Sequence, residues 1–275
     1  MSYSSQQRNE RILKQVYERG HVTVKALAGE MSVSEATIRR DLRVLADSGE
    51  LELVYGGATL KRNSDFSFRS KATRNVEAKR IIGRLAAELL TDNDQIFIDS
   101  GTTCFEMAPF IRNRRGLSVI VNSVRLTVEF AENPGISVIA LGGHYRPDRM
   151  DTIGPMATNA LDQLRGYIAF VGADGLSMDF GLTAGDIDSA HLYRLATRNA
   201  RESILLADHS KFLTPSLCKI VDWDAISRIV TDRPPPDEWT AFLESKGIDI
   251  LCPHSSAFSA DGNRPAETVK TGKET

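Results

Sequence analysis

Between residues 81 and 253 short apolar runs alternate with segments of helical period, and nothing else in the chain limits its fold so tightly. The runs QIFID (95–99), LSVIVNS (117–123), ISVIALGG (136–143), YIAFVGADG (167–175), ILLADHSKF (204–212), SRIVTD (227–232) and IDILCP (248–253) read as strands. Residues 81–90 precede the first as a helix. CFEMAPFI (104–111), VRLTVEFAEN (124–133), GPMATNALDQL, HLYRLATRNARE and PDEWTAFLESKG repeat their apolar residues at 3.6-residue spacing, with a short helix near Trp223–Ala225. Strands separated by helices predict parallel pairing through crossover connections. Runs such as VIV and ILLA, with no polar alternate, fit a sheet covered on both faces. The expectation is an α/β body.

Most of these strands end in small or polar residues: DSGTT (99–103), NS (122–123), GG (142–143), GADG (172–175) and ADHSK (207–211). In open α/β sheets, ligands bind beyond the carboxyl ends of the strands. Ser100, Gly101, Thr102 and Thr103 open a helix, so unpaired amides and hydroxyls converge where an anion is favoured, and that chemistry suits a phosphate.

The first 80 residues differ in charge. They carry 15 Lys/Arg against 10 Asp/Glu, a net of +5, whereas residues 81–275 carry a net of −7 within a total of −2. A basic head on an acidic body points to a polyanionic partner for the head alone. Ile12, Leu13, Val16 and Tyr17 recur at helical spacing up to Gly20. Thr23 precedes a second short helix, and Ser34 stands as the N-cap of a third, which runs to Gly49. In that third helix Ile38, Leu42 and Leu45 share one face, while Ala36, Arg40 and Arg43 point away, flanked by Thr37 and Arg39. LELVYGG then reads as a strand entering a hairpin turn. Three helices and a hairpin describe a winged helix-turn-helix. Ala36 and Thr37 keep the leading face thin enough for a major groove, and Arg39, Arg40 and Arg43 supply forked donors for guanine edges or phosphates.

The stretch VTVKALAGEMSVSEATIRRDLRVLADSGELELVYGGA resembles the N-terminal signature of the DeoR family of bacterial transcriptional regulators, over almost all of residues 8–60. TIRRDL followed by GGA carries the resemblance. It implies that the third helix binds operator DNA, through Ser34, Thr37, Arg39 and Arg40. Family wings often carry bases before GGA, whereas Glu50, Leu51, Glu52 and Leu53 stand here, and two acids beside phosphates would repel.

The segment 81–253 is likewise similar to the DeoR-type sensor domain, of the fold group that holds ribose-5-phosphate isomerase and CoA transferases. The likeness runs through DSGTT, NS, LGGHYR, IGP, VGADG, GLT and LLADHSKF. It implies a phosphorylated sugar or related metabolite that weakens operator binding. Ser100, Gly101, Thr102 and Thr103 would cradle the phosphate, and Asn122, Arg146, Asp174 and Lys211 would line the rest of the pocket. Of these, Lys211 and Arg146 bring cations, and Asp174 with Asp99 accepts sugar hydroxyls. His191 and Tyr193 stand where the family commonly has an acid and a lysine.

The expected organisation is therefore a DNA-binding head (1–60), a polar basic linker (61–80), an α/β effector domain (81–253) and a disordered tail (254–275). The function expected is repression of a sugar or polyol catabolic operon, with operator DNA, a small-molecule effector and further copies of the chain as partners. Two heads are needed to read two half-sites, so a dimer or tetramer is expected. The alternative is a sugar-phosphate isomerase with a basic arm, for which Asp186 and Asp188 are the candidate bases, but a fused DNA-reading head makes catalysis superfluous. Three scattered cysteines and histidines without paired spacing give no metal site or disulfide framework, and no cofactor is expected. No run reaches the ~18 apolar residues of a membrane helix, and MSYSSQQRNERILKQ lacks the apolar core of a secretory signal. The expected location is the cytoplasm.

Overall fold

The computed structural model describes residues 5–47, 51–60, 67–212 and 215–253. The expected tail, Glu50 of the wing and the Gly49 helix stop lie outside those residues.

In the head, α1 (Ser5–Arg19) leads to β1 (His21–Thr23), α2 (Val24–Met31), α3 (Glu35–Asp47) and the hairpin of β2 (Leu51–Val54) and β3 (Gly57–Leu60). Ser34 Oγ accepts from the Thr37 amide at 3.1 Å, the expected cap, and Thr23 Oγ1 caps α2 in the same way by accepting from the Ala26 amide at 3.2 Å. Ile12, Val16, Leu27, Ile38, Leu42 and Leu51 close a small core. Asp41, also buried on α3, receives Arg8 of α1 through two hydrogen bonds of 2.5 and 3.1 Å.

One head element escapes the sequence reading: β1 pairs antiparallel with β3, giving a sheet of order β1-β3-β2. Three residues with only Val22 buried are too short to show a period. The pairing is nonetheless written into Gly57, where a Cβ would lie 1.9 Å from the Val22 carbonyl oxygen. Only glycine lets the two strands approach.

The body opens with α4 (Phe68–Ala72) and α5 (Val76–Glu88), then β4 (Gln95–Ile98), α6 (Thr102–Phe105), α7 (Ala108–Ile111), β5 (Leu117–Val121), α8 (Val124–Phe130) and β6 (Ile136–Ala140). A hairpin of β7 (His144–Arg146) and β8 (Asp151–Ile153) and helix α9 (Pro155–Leu161) lead to β9 (Ile168–Gly172). There follow β10 (Gly175–Ser177), β11 (Gly181–Ala184), α10 (Ile187–Asn199), β12 (Glu202–Leu206), β13 (Cys218–Lys219), β14 (Arg228–Val230), α11 (Asp237–Ser245) and β15 (Asp249–Leu251).

The seven expected runs form one parallel sheet of order β15-β14-β12-β9-β4-β5-β6. Successive side chains enter opposite cores. Ile96, Ile98, Phe170, Ile204 and Val230 pack under α5, α7 and α8, whereas Phe97, Val171, Leu205 and Ile229 meet α9, α10 and α11. Covering both faces is what removes the polar alternation from these strands. The antiparallel pieces β7-β8 and β10-β11-β13 were not expected; each strand spans four residues or fewer, below the length at which alternation is readable.

Within the expected linker, the residues from Val76 begin the long helix α5, and α4 is an additional short helix before it. Residues 68–72 and 76–80 are helical, and α4 packs on the body: Phe68 stacks edge-on against Phe105 at 5.5 Å and lies under the Arg125 guanidinium at 4.6 Å. Its amide donates to the Asp148 carbonyl at 2.9 Å. Apolar residues are sparse there because most anchors are polar.

Candidate functional site

The chain lays down β4, β5 and β6 toward one edge, then places β9 on the other side of β4 and continues through β12, β14 and β15. The direction of strand addition therefore reverses between β4 and β9. At such a switch point the loops after neighbouring strands diverge and leave a crevice. A cavity of about 410 Å³ opens there, lined from the loops after β4, β9 and β12 and from α4, α5 and α10.

Asp99 ends β4 and is fully buried. It accepts from the Gly101 amide at 2.6 Å and from the Gly172 amide, tying the DSGTT loop to the end of β9. Burial pushes its carboxyl up, against the pull of these two amides. Beside it Ser100 Oγ donates to Asp151 Oδ2 at 2.9 Å and lies 2.9 Å from the Tyr193 hydroxyl. A serine has one hydroxyl proton, so Tyr193 must be the donor in the second bond. Burial carries the Tyr193 phenol well above its usual range and keeps that proton in place. Thr102 and Thr103 also line the cavity, and neither hydroxyl has a hydrogen-bond partner among the described residues.

Cations enter from the opposite wall. Lys71 of α4 meets Asp174 Oδ1 at 2.5 Å, while Asp174 Oδ2 accepts from the Gly185 amide at 2.7 Å. Burial opposes the Asp174 charge, but Lys71 and the amide outweigh it and hold the carboxyl below its usual range. Lys79 of α5 is buried and donates to the Arg74 carbonyl at 2.7 Å and to the Lys71 carbonyl. Desolvation pushes its ammonium down to about 8. Asn75 donates to Asp208 at 3.0 Å and to Ser210 at 3.3 Å. Lys211 also lines the cavity, and among the described residues its ammonium has no hydrogen-bond or ion-pair partner.

Of the residues singled out in the sequence, Asp99, Ser100, Gly101, Thr102, Thr103, Asp174 and Lys211 converge on this cavity. Asn122 and Arg146 do not line it. Asn122 is buried at the end of β5 and donates to the Thr152 carbonyl at 3.2 Å. Arg146 is occupied by Asp151, at 2.8 and 2.7 Å, and by Asp186 at 2.9 Å. It acts on the cavity through Asp151, the acceptor of Ser100. Sequence reasoning missed Lys71, Asn75, Lys79, Arg149, Asp151 and Asp208. The first three were visible as basic and amide residues in KATRNVEAK, but a polar segment without period gives no sign that it folds inward.

In the head, α3 turns Ile38, Asp41, Leu42 and Leu45 inward and leaves Arg39, Arg40 and Arg43 exposed. Arg39 meets Glu35 one turn back at 2.6 Å. Arg40 and Arg43 have no side-chain partner among the described residues. Ser34 Oγ lies 2.9 Å from Thr37 Oγ1 at the start of the helix. The exposed end of the wing carries Glu52, Leu53, Val54 and Tyr55, so the wing offers apolar rather than cationic groups.

Residues 74–233 match the DeoR C terminal sensor domain, and residues 8–64 match the DeoR-like helix-turn-helix domain. The chain is 29% identical to the "Putative aga operon transcriptional repressor" of Escherichia coli O157:H7, over 89% of this chain and 93% of that protein. It is also 29% identical to the "Glycerol-3-phosphate regulon repressor" of Escherichia coli strain K12, over 90% and 98%. Among solved structures, ribose 5-phosphate isomerase A from Methanocaldococcus jannaschii overlaps 50% of this chain and 55% of its own, at 21% identity and a TM-score of 0.38. No described helix is long and apolar enough to cross a membrane. With both halves matched in the order that places a DNA-reading head before a small-molecule sensor, the chain belongs to the DeoR family of DNA-binding transcriptional regulators, which are not enzymes.

Proposed function

We propose that the protein represses an operon for sugar or polyol catabolism and leaves its operator when a phosphorylated metabolite fills the cavity at the β4–β9 switch point. The observation that carries this reading is the meeting of two unpartnered hydroxyls, Thr102 and Thr103, with the unpartnered Lys211 ammonium in one cavity. A phosphate would accept hydrogen bonds from all three at once, and those from the charged ammonium are the stronger kind. Lys71 and Lys79 add positive charge, while Asp174 and Asp208 can accept hydroxyl protons from a polyol chain. The relative named for the glycerol-3-phosphate regulon supports a phosphorylated effector of this kind.

On the DNA side, Arg40 and Arg43 are the groups assigned to base edges or phosphates, with Ser34, Thr37 and Arg39 at the leading end of α3. The acidic, apolar wing supplies no cation to the backbone. Operator half-sites are read by paired heads, so the working form is a homo-oligomer. Binding can shift this equilibrium only through a difference in effector affinity between the operator-competent and incompetent forms.

A thermal-shift screen with sugar and polyol phosphates, each beside its unphosphorylated parent, tests the effector assignment. Stabilisation by a phosphorylated compound, absent for its parent and lost in Lys211→Ala, is the expected result. Equal stabilisation by the parents would remove the phosphate from the account.

A further inference from the structure

The two edges of the seven-stranded sheet are unlike. β15 has three residues and begins on Asp249, whose carboxylate meets Arg228 of the neighbouring strand at 3.1 Å. Short, charged edges resist pairing with another chain. β6 has five residues, pairs with β5 on one side, and among the described residues pairs with no strand on the other. Residues 133–143 carry no charge, and the only proline among them, Pro134, stands before the strand. Ser137, Ile139 and Ala140 are exposed, Ile139 by 40%. Apolar exposure continues on α8, which packs on β6 and leaves Val128 exposed by 69%. The edge thus lacks the charge and prolines that natural sheets use to block strand addition.

We propose that this edge is the self-association surface of the body, with β6 of one copy pairing antiparallel to β6 of a second across a two-fold axis. A two-fold contact requires a surface complementary to itself. An uncharged strand meets that demand, because antiparallel self-pairing sets its residues opposite one another without like-charge repulsion. With Val138, the middle residue, on the axis, Ser137 stands opposite the partner's Ile139. A five-residue ladder is small against the roughly 800 Å² per partner of a standard interface, so Val128 of α8 belongs to the same contact. The choice of a second copy over a foreign strand rests on the DNA-reading role, since one head carries one α3 and palindromic half-sites require two.

Sedimentation equilibrium of the full chain at micromolar concentration, without DNA or effector, tests the interface alone. The wild type is expected to sediment as a dimer or a multiple of it, and Ile139→Lys at half that mass with unchanged thermal unfolding. Ser137→Lys replaces it if Ile139→Lys does not fold. Hydrogen exchange supplies a second reading: amides of residues 136–140 are slow in the wild type, and speed up on dilution and in the variant. A wild-type monomer, a variant of unchanged mass, or β6 amides that exchange equally in both would overturn the proposal. None of these readings depends on the effector, so a failed effector assignment leaves them intact.

Discussion

Lys71 and Asp174 stand 103 positions apart in sequence, yet their ammonium and carboxylate lie 2.5 Å apart across the cavity. The ion pair fastens the segment that follows the head onto the turn after β9. An anion bound there, as proposed above, would act on the stretch of chain that leads to the DNA-binding unit.

Asp174→Asn is expected to remove that fastening by taking the charge from the carboxylate that Lys71 meets across the cavity. The unliganded protein should lose roughly 2 kcal/mol of stability, the cost of breaking a largely buried, charge-assisted hydrogen bond. A phosphorylated effector should restore more stability to the variant than to the wild type. Equal ligand-induced shifts in melting temperature would show that Lys71 does not meet the anion.

Arg40→Ala is expected to cost about 1–3 kcal/mol of operator affinity while leaving the effector-induced thermal shift unchanged. Arg39→Ala should cost less, because Arg39 already spends part of its charge on Glu35. Fluorescence anisotropy at fixed salt measures both. An Arg40→Ala protein that binds the operator as the wild type does would place the reading surface elsewhere.

Lys79 sets a pH dependence. Its folded value near 8 lies below the ordinary 10.5, so the folded state releases this proton first. Fold stability gains from this group as pH rises from about 8 to 10.5, because the penalty of burying the charge disappears. Effector affinity moves the other way, since the anion loses a cation as pH passes 8. Titration calorimetry should show binding weaken above that point in the wild type, and a flatter profile in Lys79→Met.

Tyr193→Phe removes the donor that completes the Ser100 hydroxyl and should cost roughly 1 kcal/mol of stability. Effector affinity should change less than in Lys211→Ala, since Ser100 spends its proton on Asp151 rather than on a ligand. Denaturant unfolding and the thermal-shift screen separate the two effects.

Much of this arrangement is legible in the sequence where a periodic pattern has room to repeat. The seven strands of the parallel sheet announce themselves through apolar runs, and α3 through Ile38, Leu42 and Leu45 on one face. DSGTT and VGADG are readable as strand ends, which brings Asp99, Thr102, Thr103 and Asp174 to one cavity. Period reading fails where contacts are polar and distant. Lys71 and Asn75 turn inward to meet Asp174 and Asp208, more than 100 positions away, and Lys79 folds back onto the carbonyls of Lys71 and Arg74. Arg146 shows the opposite error. A cation close to a ligand loop suggests a ligand, but two nearer carboxylates claim it.

The measurement closest to the centre of the account is the anisotropy of a labelled duplex from the promoter of the protein's own locus, titrated with wild type and Lys211→Ala. Each titration is repeated with the phosphorylated compound that most stabilises the wild type. Salt-sensitive binding is expected, weakened about tenfold by the compound in the wild type and hardly at all in Lys211→Ala. Binding that ignores the compound in both proteins, or weakens equally in both, would contradict it.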